Sequence, residues 1–129
     1  MLRIMLVEDS AADVFMIKES LNEAGMQYEA IVLGDGEDAL ISLRDTAKPD
    51  LIVIDLNLPK IDGYEVVESV RGNPNLADIP VVVLSSSSLP FDRQRAEGLG
   101  RTRYISKPIT LDEFMAIGRE IRDFYDRYR

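Results

Sequence analysis

The sequence contains no cysteine and no histidine. The first absence removes disulfides, thiolate metal ligands and thiol nucleophiles. The second removes imidazole bases, phosphohistidine and imidazole-bound zinc. No apolar run approaches the roughly 18 residues that a membrane span requires, and no basic-then-apolar segment at the N-terminus directs export, so a cytoplasmic address is expected. Positive charge is also scarce. Lys and Arg number 15 against 23 Asp and Glu, a formal net charge of −8 at pH 7. That balance argues against nonspecific nucleic-acid or membrane-surface binding and is compatible with a hard-cation site. Chemistry must come from carboxylates, hydroxyls, Lys or Arg. At 129 residues, 46% hydrophobic and 29% charged, the chain fits one soluble domain over residues 1–129 with a single core.

The pattern that organises the chain is Leu51-Ile52-Val53-Ile54-Asp55, four aliphatic residues followed at once by a carboxylate. A short β-branched run bounded by Pro49 and Pro59 reads as a strand covered on both faces, as in a parallel sheet packed between helices. Leu2 to Val7 repeats the arrangement and ends in Glu8-Asp9-Ser10. Tyr28 to Leu33, Pro80 to Leu84 and Arg103 to Lys107 read as three further strands. Between them, Val14, Ile17, Leu21 and Ala24 keep helical spacing behind Ser10 as N-cap. Ala39, Leu40 and Leu43 mark a second helix, and Tyr64, Val66, Val67 and Val70 a third. Pro90 to Gly100, with Gly98 and Gly100 and little apolar stripe, predicts a short, weakly held helix. Thr110 and Glu113 form a capping box ahead of a last helix lined by Phe114, Ile117, Ile121, Phe124 and Tyr128. Five strands alternating with five helices predict a doubly wound α/β fold.

A parallel sheet brings its strand ends onto one edge, which here collects Glu8, Asp9, Asp55, Ser85 and Lys107. Three carboxylates within about 4–6 Å repel by several kcal/mol per pair at an effective dielectric of about 20, so a divalent cation is the natural counterion. Hard oxygen ligands point to Mg2+. Lys107 supplies a point charge and Ser85 a hydroxyl toward an anion beside the metal, and the anion that suits them is a phosphoryl group. With no imidazole or thiol to activate water, Asp55 is the best nucleophile, giving an aspartyl phosphate. Singly, each feature has a plainer reading: Glu8-Asp9 as a solvated turn, Lys107-Pro108 as a strand terminus, the run Ser85 to Ser88 as a loop. It is their coincidence at four strand ends that favours a site.

In these residues the sequence resembles the receiver domains of two-component response regulators over essentially its whole length. Val7-Glu8-Asp9 matches the acidic pair, Asp55 the phosphoacceptor, Asn57 the residue lending a backbone carbonyl to the metal, Ser85 the switch hydroxyl, Tyr104 the aromatic switch, and Lys107-Pro108 the Lys-Pro pair. The resemblance implies a (βα)5 flavodoxin-like sheet of order 2-1-3-4-5, Mg2+ bound by Asp9, Asp55 and Asn57 with Glu8 acting through water, and a Lys107 ammonium on the phosphoryl group. It also implies a cis bond before Pro108 and a Tyr104 ring that turns inward on phosphorylation. Ser86 stands where many receivers have Ala, beside Ser85, and joins the phosphoryl-contacting set. Tyr104 is read from its position alone as core or switch alike.

Glu8 to Val14, Asp55 to Pro59 and Ile79 to Ser85 are similar to the small regulators that serve phytochrome-type photoreceptor kinases, which implies a sensor histidine kinase of that kind as partner and leaves the downstream target unknown. Self-association through the last helix is expected from Phe124-Tyr125-Asp126-Arg127-Tyr128-Arg129. Two other classes stay open on this fold. A Mg-dependent aspartyl-phosphate hydrolase usually has a second acid two residues after its nucleophile, where this chain has Asn57. A phosphorylation-independent binding module has usually lost one of the residues that this chain keeps.

Overall fold

The computed structural model describes residues 1–45, 47–86 and 90–128. Ser87 and Ser88, half of the serine run, lie outside the described residues. The elements in chain order are β1 (Leu2–Val7), α1 (Ala11–Glu23), β2 (Tyr28–Leu33), α2 (Gly36–Asp45), β3 (Leu51–Ile54), α3 (Gly63–Gly72), β4 (Val81–Ser85), α4 (Pro90–Glu97), β5 (Thr102–Ser106) and α5 (Leu111–Asp126). All strand pairs are parallel, in the order β2-β1-β3-β4-β5. The expected fold class and strand order are therefore observed.

Alternation along the strands divides the core into two layers, because successive side chains in a strand point to opposite faces. Met5, Val7, Ile52, Ile54, Val81, Val83 and Tyr104 pack with residues of α2, α3 and α4 on one face. Ile4, Leu6, Leu51, Val53, Val82, Leu84 and Ile105 pack with α1 and α5 on the other. Burying both faces explains why β3 and β4 read as unbroken aliphatic runs. Each fully buried aliphatic side chain contributes about 1.5–3 kcal/mol by leaving water. On the second face α1 and α5 approach so closely that a Cβ at Gly118 would run into the Ser20 carbonyl oxygen.

The helix starts follow the expected caps. Ser10 Oγ accepts from the Asp13 N–H at 3.2 Å and Thr110 Oγ1 from the Glu113 N–H at 3.2 Å, filling donors that the first helical turn leaves without intrahelical partners. β4 begins one residue later than expected, since Pro80 has no N–H for the ladder, and it closes on Ser85. β5 ends at Ser106, but the Lys107 N–H still donates to the Ser85 carbonyl at 2.8 Å. Ser85 and Lys107 are thus fixed side by side on adjacent strands. Among the described residues no helix is long and apolar enough to cross a membrane.

Candidate functional site

The C-terminal ends of β1, β3 and β5 converge on one ammonium group. Lys107 Nζ lies 2.7 Å from Glu8 Oε1, 2.8 Å from Asp13 Oδ2 and 3.1 Å from Asp55 Oδ2. Its side chain is only 11% exposed. The second oxygens are held as well: Glu8 Oε2 accepts from the Ser10 N–H at 3.1 Å, and Asp55 Oδ1 from the Asn57 N–H at 3.2 Å. Asp55 is thereby held on one oxygen by the Lys107 ammonium beyond β5 and on the other by an N–H of its own β3–α3 loop. Burial pushes the Glu8 carboxyl above its ordinary range, against the lowering by the Lys107 and Ser10 hydrogen bonds. Burial works the other way on Lys107, but the hydrogen bonds it donates to Asp13 and Glu8, with the charges of Asp55 and Glu8, outweigh it and hold the amine well above its ordinary range. Lys107 is a cation at any physiological pH.

Glu8, Asp9 and Asp55 each place a carboxylate oxygen within 4.8 Å of the others. Glu8 and Asp55 are buried, and Asp9 is exposed at the mouth. Three anionic hard-oxygen donors with one solvent-facing member fit a divalent cation that keeps some of its water. Of the residues expected at the site, the structure brings these three together with Lys107. Asn57 contributes its N–H to Asp55. Ser85 is completely buried at the end of β4, the strand beside β3, while the adjoining Ser86 is exposed.

Two expectations need correction. No peptide bond among the described residues is cis, the bond from Lys107 to Pro108 included. A trans X–Pro bond is the lower-energy form by about 0.5–1 kcal/mol, and with it Lys107 already reaches three carboxylates. Tyr104 is expected to reach the interior by turning, but its ring is packed there, 1% exposed, in the layer with Val83 and Ala96. The Arg93 guanidinium lies over it at 5.3 Å.

Asp13 is the site residue that sequence reasoning missed. It sits in the first turn of α1, where an acid is explained by the helix dipole and by its N–H bond to Ser10. The available signal was its offset of five residues from Glu8, which carries the chain round the β1–α1 turn and back over the strand end.

Comparison with known proteins agrees with this geometry. Residues 4–119 match the response regulator receiver domain family. Response regulator Rcp1 of Synechocystis sp. is 37% identical over 128 residues, covering 95% of this chain and 87% of Rcp1. The crystal structure of the Mn(2+)-bound form of Rcp1 superimposes with a TM-score of 0.88 at 36% identity, covering 97% of this chain and 94% of that one. The phosphorylated cyanobacterial phytochrome response regulator RcpA gives 0.87 at 38%, covering 96% and 93%. With the family match running over residues 4–119 and these relatives covering nearly the whole chain, the chain belongs to the response regulator receiver domains.

Proposed function

We propose that Asp55 accepts a phosphoryl group from a sensor histidine kinase and that the resulting aspartyl phosphate is the chain's signalling state. The observation that carries this is the Asp55 carboxylate held at a strand end by the Lys107 ammonium at 3.1 Å and the Asn57 N–H at 3.2 Å, beside two further acids. An Asp55 oxygen attacks phosphorus, the phosphorus–nitrogen bond of a phosphohistidine breaks, and the imidazole leaves with a proton from solvent. Glu8, Asp9 and Asp55, with the Asn57 carbonyl, would hold Mg2+, which supplies charge neutralisation for the transferring group when bound. Lys107 then gives up its hydrogen bond to the Asp55 carboxylate in favour of phosphoryl oxygens. Ser85 and Ser86, at the end of β4 beside β3, would supply hydroxyls to that group, and Tyr104 is the packed aromatic through which β5 responds. One group per chain rather than continuous turnover is the reading, because the position two residues after Asp55, where aspartyl-phosphate hydrolases usually carry a second acid, is Asn57.

The partner kinase is of phytochrome type in this reading. Support comes from RcpA, a phytochrome response regulator solved in phosphorylated form. Mn2+ bound to Rcp1 and the three clustered carboxylates support a divalent cation, and the hard-oxygen set supports Mg2+ in particular. A cytoplasmic location fits a kinase-fed switch. A second copy of this chain is a further partner, meeting the first across α4, β5 and α5. There, Arg103, Arg119 and Arg127 intersperse with Glu97, Glu120 and Asp123, a face able to complement itself, with Phe91 68% exposed beside it.

Incubation with a phytochrome-type kinase, ATP and Mg2+, followed by intact-mass measurement, should show one added phosphoryl group, lost in Asp55→Asn and in excess chelator. Full labelling of Asp55→Asn would overturn the assignment.

A further inference from the structure

α4 is the least anchored element. Of its eight residues only Ala96 is buried, and a helix of two turns has little stability of its own. It lies along β5, with Ala96 in the core layer and Arg93 over Tyr104, and polar groups of α3 tie it further. Tyr64, Glu68 and Arg71 follow one another at i, i+4 and i+7, a single stripe along α3. The Tyr64 hydroxyl donates to the Asp92 carbonyl at 2.7 Å and lies 3.2 Å from Asp92 Oδ1. The Arg95 guanidinium stacks over the Tyr64 ring at 4.0 Å and pairs with Glu68 at 2.9 Å. Arg71 donates to the carbonyls of Gly100 and Arg101, each at 2.7 Å, just past the end of α4. The chain there turns through left-handed backbone, with φ 78° at Gly100 and 48° at Arg101.

The same stripe begins on the phosphorylation site. Tyr64 follows Gly63, whose N–H donates to the Leu56 carbonyl at 3.0 Å and where a Cβ would run into the Asp55 carbonyl oxygen. The first turn of α3 therefore rests directly on the backbone of Asp55 and Leu56, and any displacement of that backbone is handed to Tyr64. Burial and the neighbouring Asp92 push the Tyr64 phenol up, so it stays a donor throughout the physiological range. Hydrogen bonds suit such a link, because a bond broken near the surface is replaced by one to water.

We propose that Tyr64 is a positioning residue that couples α4 to the Asp55 loop, so that phosphorylation loosens or resets α4 through Gly63, Tyr64 and Asp92, by a path separate from Ser85 and Tyr104. The proposal rests on Asp55 as the phosphoacceptor. It gives the weak helix a defined mechanical input at its N-terminal end, while Arg71 holds its C-terminal end.

Hydrogen–deuterium exchange on the full chain, with and without beryllofluoride and Mg2+ as the phosphoryl mimic, tests it in wild type, Tyr64→Phe and Arg71→Ala. Acetyl phosphate labelling read by mass is run in parallel. Tyr64→Phe keeps the ring under Arg95 and removes only the hydroxyl. It should accept one phosphoryl group on Asp55 as wild type does and exchange residues 90–97 about tenfold faster, the effect of losing one well-made hydrogen bond. Its beryllofluoride-induced change in residues 90–97 should be clearly smaller, with the change in residues 102–107 retained. Arg71→Ala should also speed exchange in α4 yet keep the full response to the mimic. A full response in Tyr64→Phe, an α4 that exchanges at the wild-type rate, or equal behaviour of the two variants would overturn the route. Failure of wild-type Asp55 to be labelled would instead remove the acceptor assignment, and this path with it.

Discussion

Around Lys107 one ammonium balances Glu8, Asp13 and Asp55, all within 3.1 Å, with Asp9 close by. Removing a partner from a buried ion cluster leaves charge uncompensated at a cost of about 3 kcal/mol. Lys107→Ala should therefore lower the urea-unfolding stability of the chelated chain by that order. Mg2+ should restore part of the loss, because a divalent cation among the same carboxylates replaces the missing charge. The variant should still bind metal while its partner binding no longer responds to phosphorylation. An equal loss with and without Mg2+ would mean that Lys107 acts by packing alone. The placement of Glu8, Asp9, Asp55 and Lys107 at one site could be read from sequence because the acids close aliphatic runs and Lys107 closes the last short strand. Asp13 could not, since its position has a sufficient local explanation in the N-terminal turn of α1. Nor could Tyr64 or Arg71: the first falls on the apolar stripe of α3 and reads as core, and the partners of the second are backbone carbonyls, which leave no trace in the sequence.

For whole elements, periodicity was a reliable guide wherever burial imposed it. β3 and β4 are buried at every position, and their sequences show it. α4 buries only Ala96 and is tied otherwise through Arg93 to β5 and through Arg95 and Asp92 to α3, so only its shortness and weakness could be foreseen. α2 illustrates a polar determinant that titrates. Asp35 Oδ1 accepts from the Asp38 N–H at 2.8 Å at the start of that helix. That bond, with smaller help from Lys60 3.6 Å away, holds the Asp35 carboxyl below its ordinary value of 3.8. A carboxyl lowered by folding stabilises the native state above its unfolded pKa, and this contribution disappears as pH falls through the folded value. Asp35→Ala should thus be less stable than wild type by a constant amount near neutrality, with the difference shrinking below about pH 4. Urea denaturation of both proteins from pH 7 to pH 3 measures this; a difference that grows on acidification would contradict the assignment.

Across the whole molecule, the edge that carries Asp55 is linked to the proposed self-association face through α4 and β5, which belong to that face and which Tyr64 and Tyr104 address. The sequence suggested that the aromatics at the chain end were free for a partner. The structure restricts that idea. Phe124 is 4% exposed and belongs to the core layer of α1 and α5, and Tyr125 packs against the same layer. Tyr128 meets Phe124 edge-on at 5.1 Å with the Arg101 guanidinium over its ring at 4.9 Å. Truncation after Asp123 would therefore remove core packing along with any interface, and point changes on the exposed face are the sound test. Arg103 and Glu120 lie 3.9 Å apart there, both partly exposed. In a two-fold interface Arg103 of each copy would meet Glu120 of the other, so the pair forms twice, since an isologous contact repeats every pair. Arg103→Glu should then weaken a dimer seen by sedimentation at micromolar concentration, and adding Glu120→Arg to it should restore association, because the pairs are rebuilt with reversed sign. The phosphoryl mimic should strengthen the wild-type dimer if α4 is reset as proposed. A monomer in every condition would refute the dimer. Association unaffected by Arg103→Glu would move it to another face, for which the exposed Phe15 on α1 and Ile109 and Leu111 at the start of α5 are apolar candidates.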